Sequence, residues 1–181
     1  MKKTKIDWAD STWNPVTGCL HGCEYCYARK IAEQFGTHNK YERPYEPVLD
    51  VPIRRVRTEA EPYPYGFKPT FHRYRLGEPA RWKKPRTIFV CSMADLFGNW
   101  VPDEWIREVF QACEAAPQHR YLFLTKNPER LNRLAREGKL PQKHWYGYSA
   151  SDESMLWQFH HAEECLIEHL FVSIEPILKP M

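Results

Sequence analysis

Between residues 87 and 174, short apolar runs alternate with longer amphipathic ones, and this rhythm restricts the fold more than anything else in the chain. Runs at 87–91, 121–124, 145–148 and 170–174 have the length and residue types of buried strands. The segments between them repeat apolar residues at helical spacing. One, at about 103–115, opens on Pro102-Asp103-Glu104 and puts Trp105, Val109 and Cys113 on one face. Another opens on Asn127-Pro128-Glu129, which supplies a cap, a first-turn proline and an acid that suits the helix dipole. It runs to Gly138 with Leu131 and Leu134 inward. A third opens on Ser151-Asp152-Glu153 and runs to about residue 166. Strands separated by helices pair in parallel through right-handed crossovers. With further strands near residues 12 and 72, the expected fold is α/β: a single-domain partial (open) barrel of about six parallel strands. A full eight-stranded barrel takes ~250 residues. This chain has 181 and stops just after a strand, so either the barrel is open or the chain is a C-terminally truncated form with a bare strand edge.

The second constraint is chemical. Three of the six cysteines fall within eight residues, as Cys19-x3-Cys23-x2-Cys26. Soft thiolates this close together suit an iron–sulfur cluster or zinc. No fourth cysteine lies nearby, so a cubane held here keeps one iron open to a small molecule. Gly18 and Gly22 allow sharp turns into and within the loop. From Glu24 the pattern becomes helical, with Tyr27, Ile31 and Phe35 four apart and Gly36 as the stop. The cysteine loop therefore sits between a strand and a helix, with Cys26 in the first turn, where unpaired N–H groups favour a negative cluster. Zinc with Cys91 or His21 as fourth ligand, a cluster that only transfers electrons, and plain reduced thiols are the other readings of the triplet. Cys113 reads as core, Cys165 gives no signal, and Cys91 reads as core or as an extra thiol at the site.

The spacing, with Tyr25 before the last cysteine, resembles that of the radical S-adenosylmethionine (SAM) enzymes. The wider string Thr12-Trp13-Asn14-Pro15-Val16-Thr17-Gly18-Cys19 followed by Gly22-Cys23-Glu24-Tyr25-Cys26-Tyr27-Ala28 is similar to a phage-associated three-cysteine family. So are Arg81-Trp82-Lys83-Lys84-Pro85, Phe89-Val90-Cys91-Ser92-Met93-Ala94-Asp95-Leu96-Phe97, Leu124-Thr125-Lys126-Asn127-Pro128-Glu129-Arg130 and Ser173-Ile174-Glu175-Pro176. The resemblance implies the same barrel, a [4Fe–4S] cluster held by Cys19, Cys23 and Cys26, and SAM on the fourth iron through its amino and carboxylate groups. One electron, from an external donor, would cleave SAM to a 5′-deoxyadenosyl radical that abstracts a substrate hydrogen. Tyr25 would touch the adenosyl group. Ser92, Asp95, Lys126, Ser173 and Glu175 are candidates for SAM or substrate contacts. All of them follow strands, at the end of a barrel where sites gather. Asn127, Ser151 and Asp152, placed similarly, read as helix caps.

Residues 37–85 break the rhythm. Prolines recur among tyrosines and arginines, which reads as a mostly irregular insertion with one short strand near 70–76. Interleaved basic and aromatic residues can bind single-stranded nucleic acid, although a solvated loop gives the same pattern. An alternative function is therefore a metal-stabilised phage or defence protein that binds nucleic acid through residues 54–86 without catalysis. A net charge of +3 is too small to argue for nucleic acid by itself, and no apolar run has membrane-spanning length. The basic start lacks a signal-peptide core, and the cysteine pattern fits a reducing cytoplasm. The remaining histidines show no ligand spacing. Neither a phosphate-binding glycine loop nor a serine nucleophile elbow is present.

Overall fold

The computed structural model describes Thr4, residues 6–36, 44–55, 59–151, Glu153, Met155 and residues 166–174. Five strands form one parallel sheet: β1 (Ser11–Trp13), β7 (Thr87–Val90), β8 (Arg120–Thr125), β9 (Trp145–Ala150) and β10 (Leu170–Ile174), in that order across the sheet. Helix α2 (Asp103–Glu114) connects β7 to β8, and α3 (Pro128–Arg136) connects β8 to β9. Asn127 caps α3, its side chain accepting from the Arg130 N–H. The expected 151–166 helix falls largely outside the described residues.

Alternation along each strand gives the sheet two different faces. Ile88, Val90, Tyr121, Phe123, Tyr146 and Tyr148 point to the helix side and share a core with Trp105, Val109, Cys113, Leu131 and Leu134. The other face carries Phe89, Leu124, Ser149 and Ser173, which line a cavity. The sheet curls around that cavity. Across a flat sheet, β7 and β10 would stand about 14 Å apart. Yet the Trp8 ring lies 4.7 Å from the Phe89 ring on β7 and 6.2 Å from the Phe171 ring on β10. Gly147 of β9 makes room for this, because a Cβ there would come within 2.5 Å of the Phe171 ring.

The strand expected near residue 72 forms, but it does not join the parallel sheet. Residues Thr70–His72 (β6) pair antiparallel with Val16–Thr17 (β2) and parallel with Val48–Leu49 (β3), forming a separate small sheet. The main sheet therefore has five strands among the described residues rather than about six. Long-range polar bonds hold the insertion back across the chain. His72 N–H donates to Pro15 O at 2.7 Å, the Thr17 hydroxyl and His72 Nε2 stand 2.8 Å apart, and the Trp13 indole donates to Arg75 O at 3.0 Å. Otherwise the described part of 37–85 holds only the hairpin of β4 (Arg54–Arg55) with β5 (Glu59–Ala60) and two single 3₁₀ turns. Helix α1 (Tyr27–Phe35) forms where expected, but it buries Ala28 and Ala32, while Tyr27 and Phe35 are exposed. No helix among the described residues is long and apolar enough to cross a membrane.

His144 is buried among the rings of Phe110, Tyr121 and Phe123, and burial with nearby Lys143 pushes its pKa down to about 4. His72, equally buried and close to Arg75, is pushed down to about 2. Both are neutral in the folded chain, whereas unfolding frees them to titrate near the ordinary histidine value of about 6.5. Between pH 6.5 and 4 the unfolded state binds the extra protons, so stability falls with acidification, by on the order of 3 kcal/mol for His144. The expected result is a urea midpoint that drops across this window, with a shallower drop in His144→Leu. A midpoint independent of pH there would contradict it.

Candidate metal and cofactor site

The cysteine loop enters through a position only glycine fills well. Gly18 has φ +85°, and a Cβ on it would lie 2.3 Å from the Lys68 carbonyl oxygen. Opposite the loop, the chain leaves β7 through Cys91 at φ +59°, a left-handed turn that costs a side-chain-bearing residue roughly 1–2 kcal/mol. This turn brings residues 92–95 beneath the cysteine loop. Gly18 N–H donates to Met93 O at 2.9 Å, and the Tyr27 hydroxyl donates to Ser92 O at 2.6 Å. Asn14 secures the same segment, its side-chain oxygen accepting from Ser92 Oγ and Met93 N–H.

A cavity of about 600 Å³ opens between this loop and the carboxyl ends of the strands. Of the residues singled out by sequence, Cys19, Cys23, Cys26, Tyr25, Ser92, Asp95, Lys126 and Ser173 all line it. Glu175 lies outside the described residues, as do Asp152, Cys165, His160 and His161. Thr125, Ser149, Trp8 and Phe67 line it too. Phe67 comes from the irregular insertion, and no local pattern distinguishes it.

Asp95 is the best-satisfied polar group in the site. Its carboxylate accepts from His21 Nε2 at 2.7 Å, the Thr125 hydroxyl at 2.8 and 2.9 Å, Lys126 N–H at 2.9 Å and Phe97 N–H at 3.0 Å. With its lone pairs so occupied, Asp95 organises the site rather than offering acceptors to a ligand. Lys126 differs. Its ammonium donates to Ser149 Oγ and lies 5.7 Å from the centre of the Tyr25 ring. An ammonium has three donors, so capacity remains for an anionic group in the cavity. Ser92 Oγ donates to Asn14, and Tyr25 OH reaches Ser151 Oγ at 3.5 Å.

Of the described cysteines, Cys19, Cys23 and Cys26 are partly exposed, Cys91 and Cys113 are buried, and none is in a disulfide. Cys26 caps α1, its sulfur accepting from Arg29 N–H at 3.4 Å. Burial pushes the Cys19 thiol up to about 11, with Asp95, Cys26 and Cys23 adding to the effect against a hydrogen bond from the His21 backbone. Cys91 is pushed up to about 12 by burial, in spite of a hydrogen bond from the Val16 backbone. Among the described residues no three His, Cys, Asp or Glu side chains meet at one point as a single metal ion requires. The donor set itself fits a soft metal centre: three thiols from one short loop, lining one cavity.

Three arginines of the basic segment are committed to the fold, while Arg81, Lys83 and Lys84 are exposed. Arg73 pairs with Glu108 and Asp50, Arg75 donates to Asn14 O and Pro62 O, and Arg86 donates to Ser11 Oγ and lies over the Trp82 ring.

The architecture is that of an α/β protein whose parallel sheet has a known counterpart. It is similar to spore photoproduct lyase complexed with dinucleoside spore photoproduct, with a TM-score of 0.59 and 13% sequence identity, over 99% of this chain and 49% of that one. The chain thus spans about half the length of that solved structure, and at this identity the likeness shows the fold alone. No curated protein sequence matches it. By sequence, the chain belongs to the family described as protein of unknown function (DUF5131), matched over residues 3–181.

Thiol accessibility follows from these positions. In the metal-free native protein, limited alkylation read by peptide mass spectrometry is expected to label Cys23 and Cys26 first and Cys19 more slowly, with Cys91 and Cys113 protected until unfolding. Labelling of Cys91 at the rate of Cys23 would contradict the placement of the two sides of the loop.

Proposed function

We propose that the protein is a radical SAM-type enzyme. In this reading Cys19, Cys23 and Cys26 hold a [4Fe–4S] cluster, and SAM and substrate occupy the adjoining cavity. The observation that carries it is convergence: the three-cysteine loop and strand-end residues from β7, β8 and β10 line one cavity. The fold likeness supports it, since spore photoproduct lyase is a radical SAM enzyme. The donor arrangement supports it as well. A cubane binds each cysteine through a different iron, so its thiolates need not meet at one point, whereas a zinc ion gathers four donors around itself. Of the two candidates for a fourth zinc ligand, Cys91 is held by burial and the Val16 backbone, and His21 commits Nε2 to Asp95, leaving Nδ1 as its one nitrogen for a metal.

When bound, the cluster would pass one electron from an external donor to SAM and so open a route to hydrogen abstraction. The chain's own residues supply orientation and a water-poor cavity. Lys126 would hold an anionic group, either the SAM carboxylate or a substrate anion. Tyr25, between two of the cysteines, would lie along the adenosyl group, and Ser92 and Ser173 would offer hydroxyls. Glu175 remains a candidate on sequence grounds. The curled sheet reads as the wall of an open barrel. The lyase of similar fold was captured with a dinucleoside. Trp8 and Phe89 offer this cavity aromatic faces on which a base can stack, so a nucleic-acid-derived substrate fits the reading.

Anaerobic reconstitution tests the proposal. The expected product is a brown protein with about four iron and four sulfide per chain. On reduction it should convert SAM to 5′-deoxyadenosine, and the variant lacking Cys19, Cys23 and Cys26 should bind no iron. A colourless protein with stoichiometric zinc would overturn the proposal.

A further inference from the structure

We infer that Asp95, acting through His21, is a positioning residue that sets the cysteine loop against the strand ends before any metal arrives. The inference rests on the reading of Cys19, Cys23 and Cys26 as cluster ligands, but its physical content belongs to the metal-free chain.

His21 sits midway between Cys19 and Cys23, and its Nε2 reaches across 74 positions of sequence to Asp95 Oδ2 at 2.7 Å. The pair is well shielded, with side-chain exposures of 22% and 7%. The imidazole is held from the other side by Trp100, whose ring meets it edge-on at 4.8 Å. The remaining acceptor capacity of Asp95 takes Phe97 N–H within its own turn and Thr125 Oγ1 and Lys126 N–H at the end of β8. One carboxylate therefore joins the ligand loop, the turn after β7 and the strand end that carries Lys126. The other tethers of the loop are Gly18 N–H to Met93 O, Cys19 N–H to Phe67 O at 3.3 Å, Tyr25 OH to Ser151 Oγ at 3.5 Å and Tyr27 OH to Ser92 O. His21 supplies the side-chain tether between Cys19 and Cys23. Without it the stretch between Cys19 and Cys23 loses its anchor to the strand ends, and three cysteines on a looser loop bind a cubane at a greater cost in ordering entropy.

A histidine beside cysteines invites another role, that of metal ligand, and the two roles separate experimentally. In glutamine the side-chain amide nitrogen stands close to the place of imidazole Nε2. His21→Gln therefore keeps a donor for Asp95 while removing the imidazole as a ligand. His21→Ala removes both.

The test is hydrogen exchange of the metal-free full chain, followed by iron and sulfide content after anaerobic reconstitution. His21→Ala is expected to speed exchange of the amides in residues 19–24 by about tenfold or more, in line with loss of one charge-assisted hydrogen bond, while amides of α2 and β8 keep their protection. His21→Gln is expected to restore loop protection and to load iron like the native protein. Equal protection in native protein and His21→Ala would overturn the inference, as would His21→Gln behaving like His21→Ala. Asp95→Asn should show the same loop exchange where it folds, and the His21 pair decides the matter if it does not. If the loop loosens as expected yet no variant, nor the native protein, takes up iron and sulfide, the positioning role stands and the cluster reading fails.

Discussion

A carboxylate taken out of water is a liability of several kcal/mol unless hydrogen bonds replace what the solvent supplied. Asp95 meets that condition with donors from four other residues, and those donors belong to parts of the chain that are otherwise far apart. His21 comes from the cysteine loop, Phe97 from the turn after β7, and Thr125 and Lys126 from the end of β8. Removing any one donor leaves a buried charge less satisfied, so the arrangement is coupled rather than a sum of independent contacts. The site takes its shape from this coupling. The loop that carries the sulfurs and the strand end that carries the cation are registered to the same oxygen atoms.

The sheet provides the setting. Its helix-facing side is a packed aromatic and aliphatic core, and its other side is curled around a cavity by the Trp8 ring touching both Phe89 and Phe171. Stability and function are thus divided between alternating residues of the same strands. Tyr121 and Phe123 of β8 belong to the core, while Leu124 and Lys126 face the cavity. The division explains how a cavity can keep exposed thiols and an ammonium without weakening the core a few ångströms away.

Much of this was legible in the sequence because it depends on local pattern. The strand and helix rhythm after residue 86, the Asn127 cap, and the inward positions of Cys113, Leu131 and Leu134 follow from periodicity and capping chemistry. The cysteine spacing marked the loop, and the strand-end positions gathered where parallel topology puts them. What escaped was long-range. Asp95 stood out as a polar residue after a strand, but its partners lie 74 and about 30 positions away, so a ligand contact and an organising hub look alike in one dimension. Thr70–His72 reads as a strand in either sheet, and its long-range bonds to Pro15, Thr17 and Pro47 place it in the smaller one. Arg73 and Arg75 look like part of a nucleic-acid surface until their acidic and carbonyl partners are seen, whereas Arg81, Lys83 and Lys84 are exposed. In α1, the spacing of Tyr27, Ile31 and Phe35 marked a helix, but the residues it buries are Ala28 and Ala32.

The proposed function has the three-cysteine loop present a cubane with one iron left to a small molecule in the cavity. Mössbauer spectroscopy of protein reconstituted with iron-57 reads that iron directly. The expected result is a [4Fe–4S] spectrum in which SAM alters the parameters of one iron and leaves the other three unchanged. Four irons indifferent to SAM, or no cluster signal in a protein carrying one zinc per chain, would contradict it.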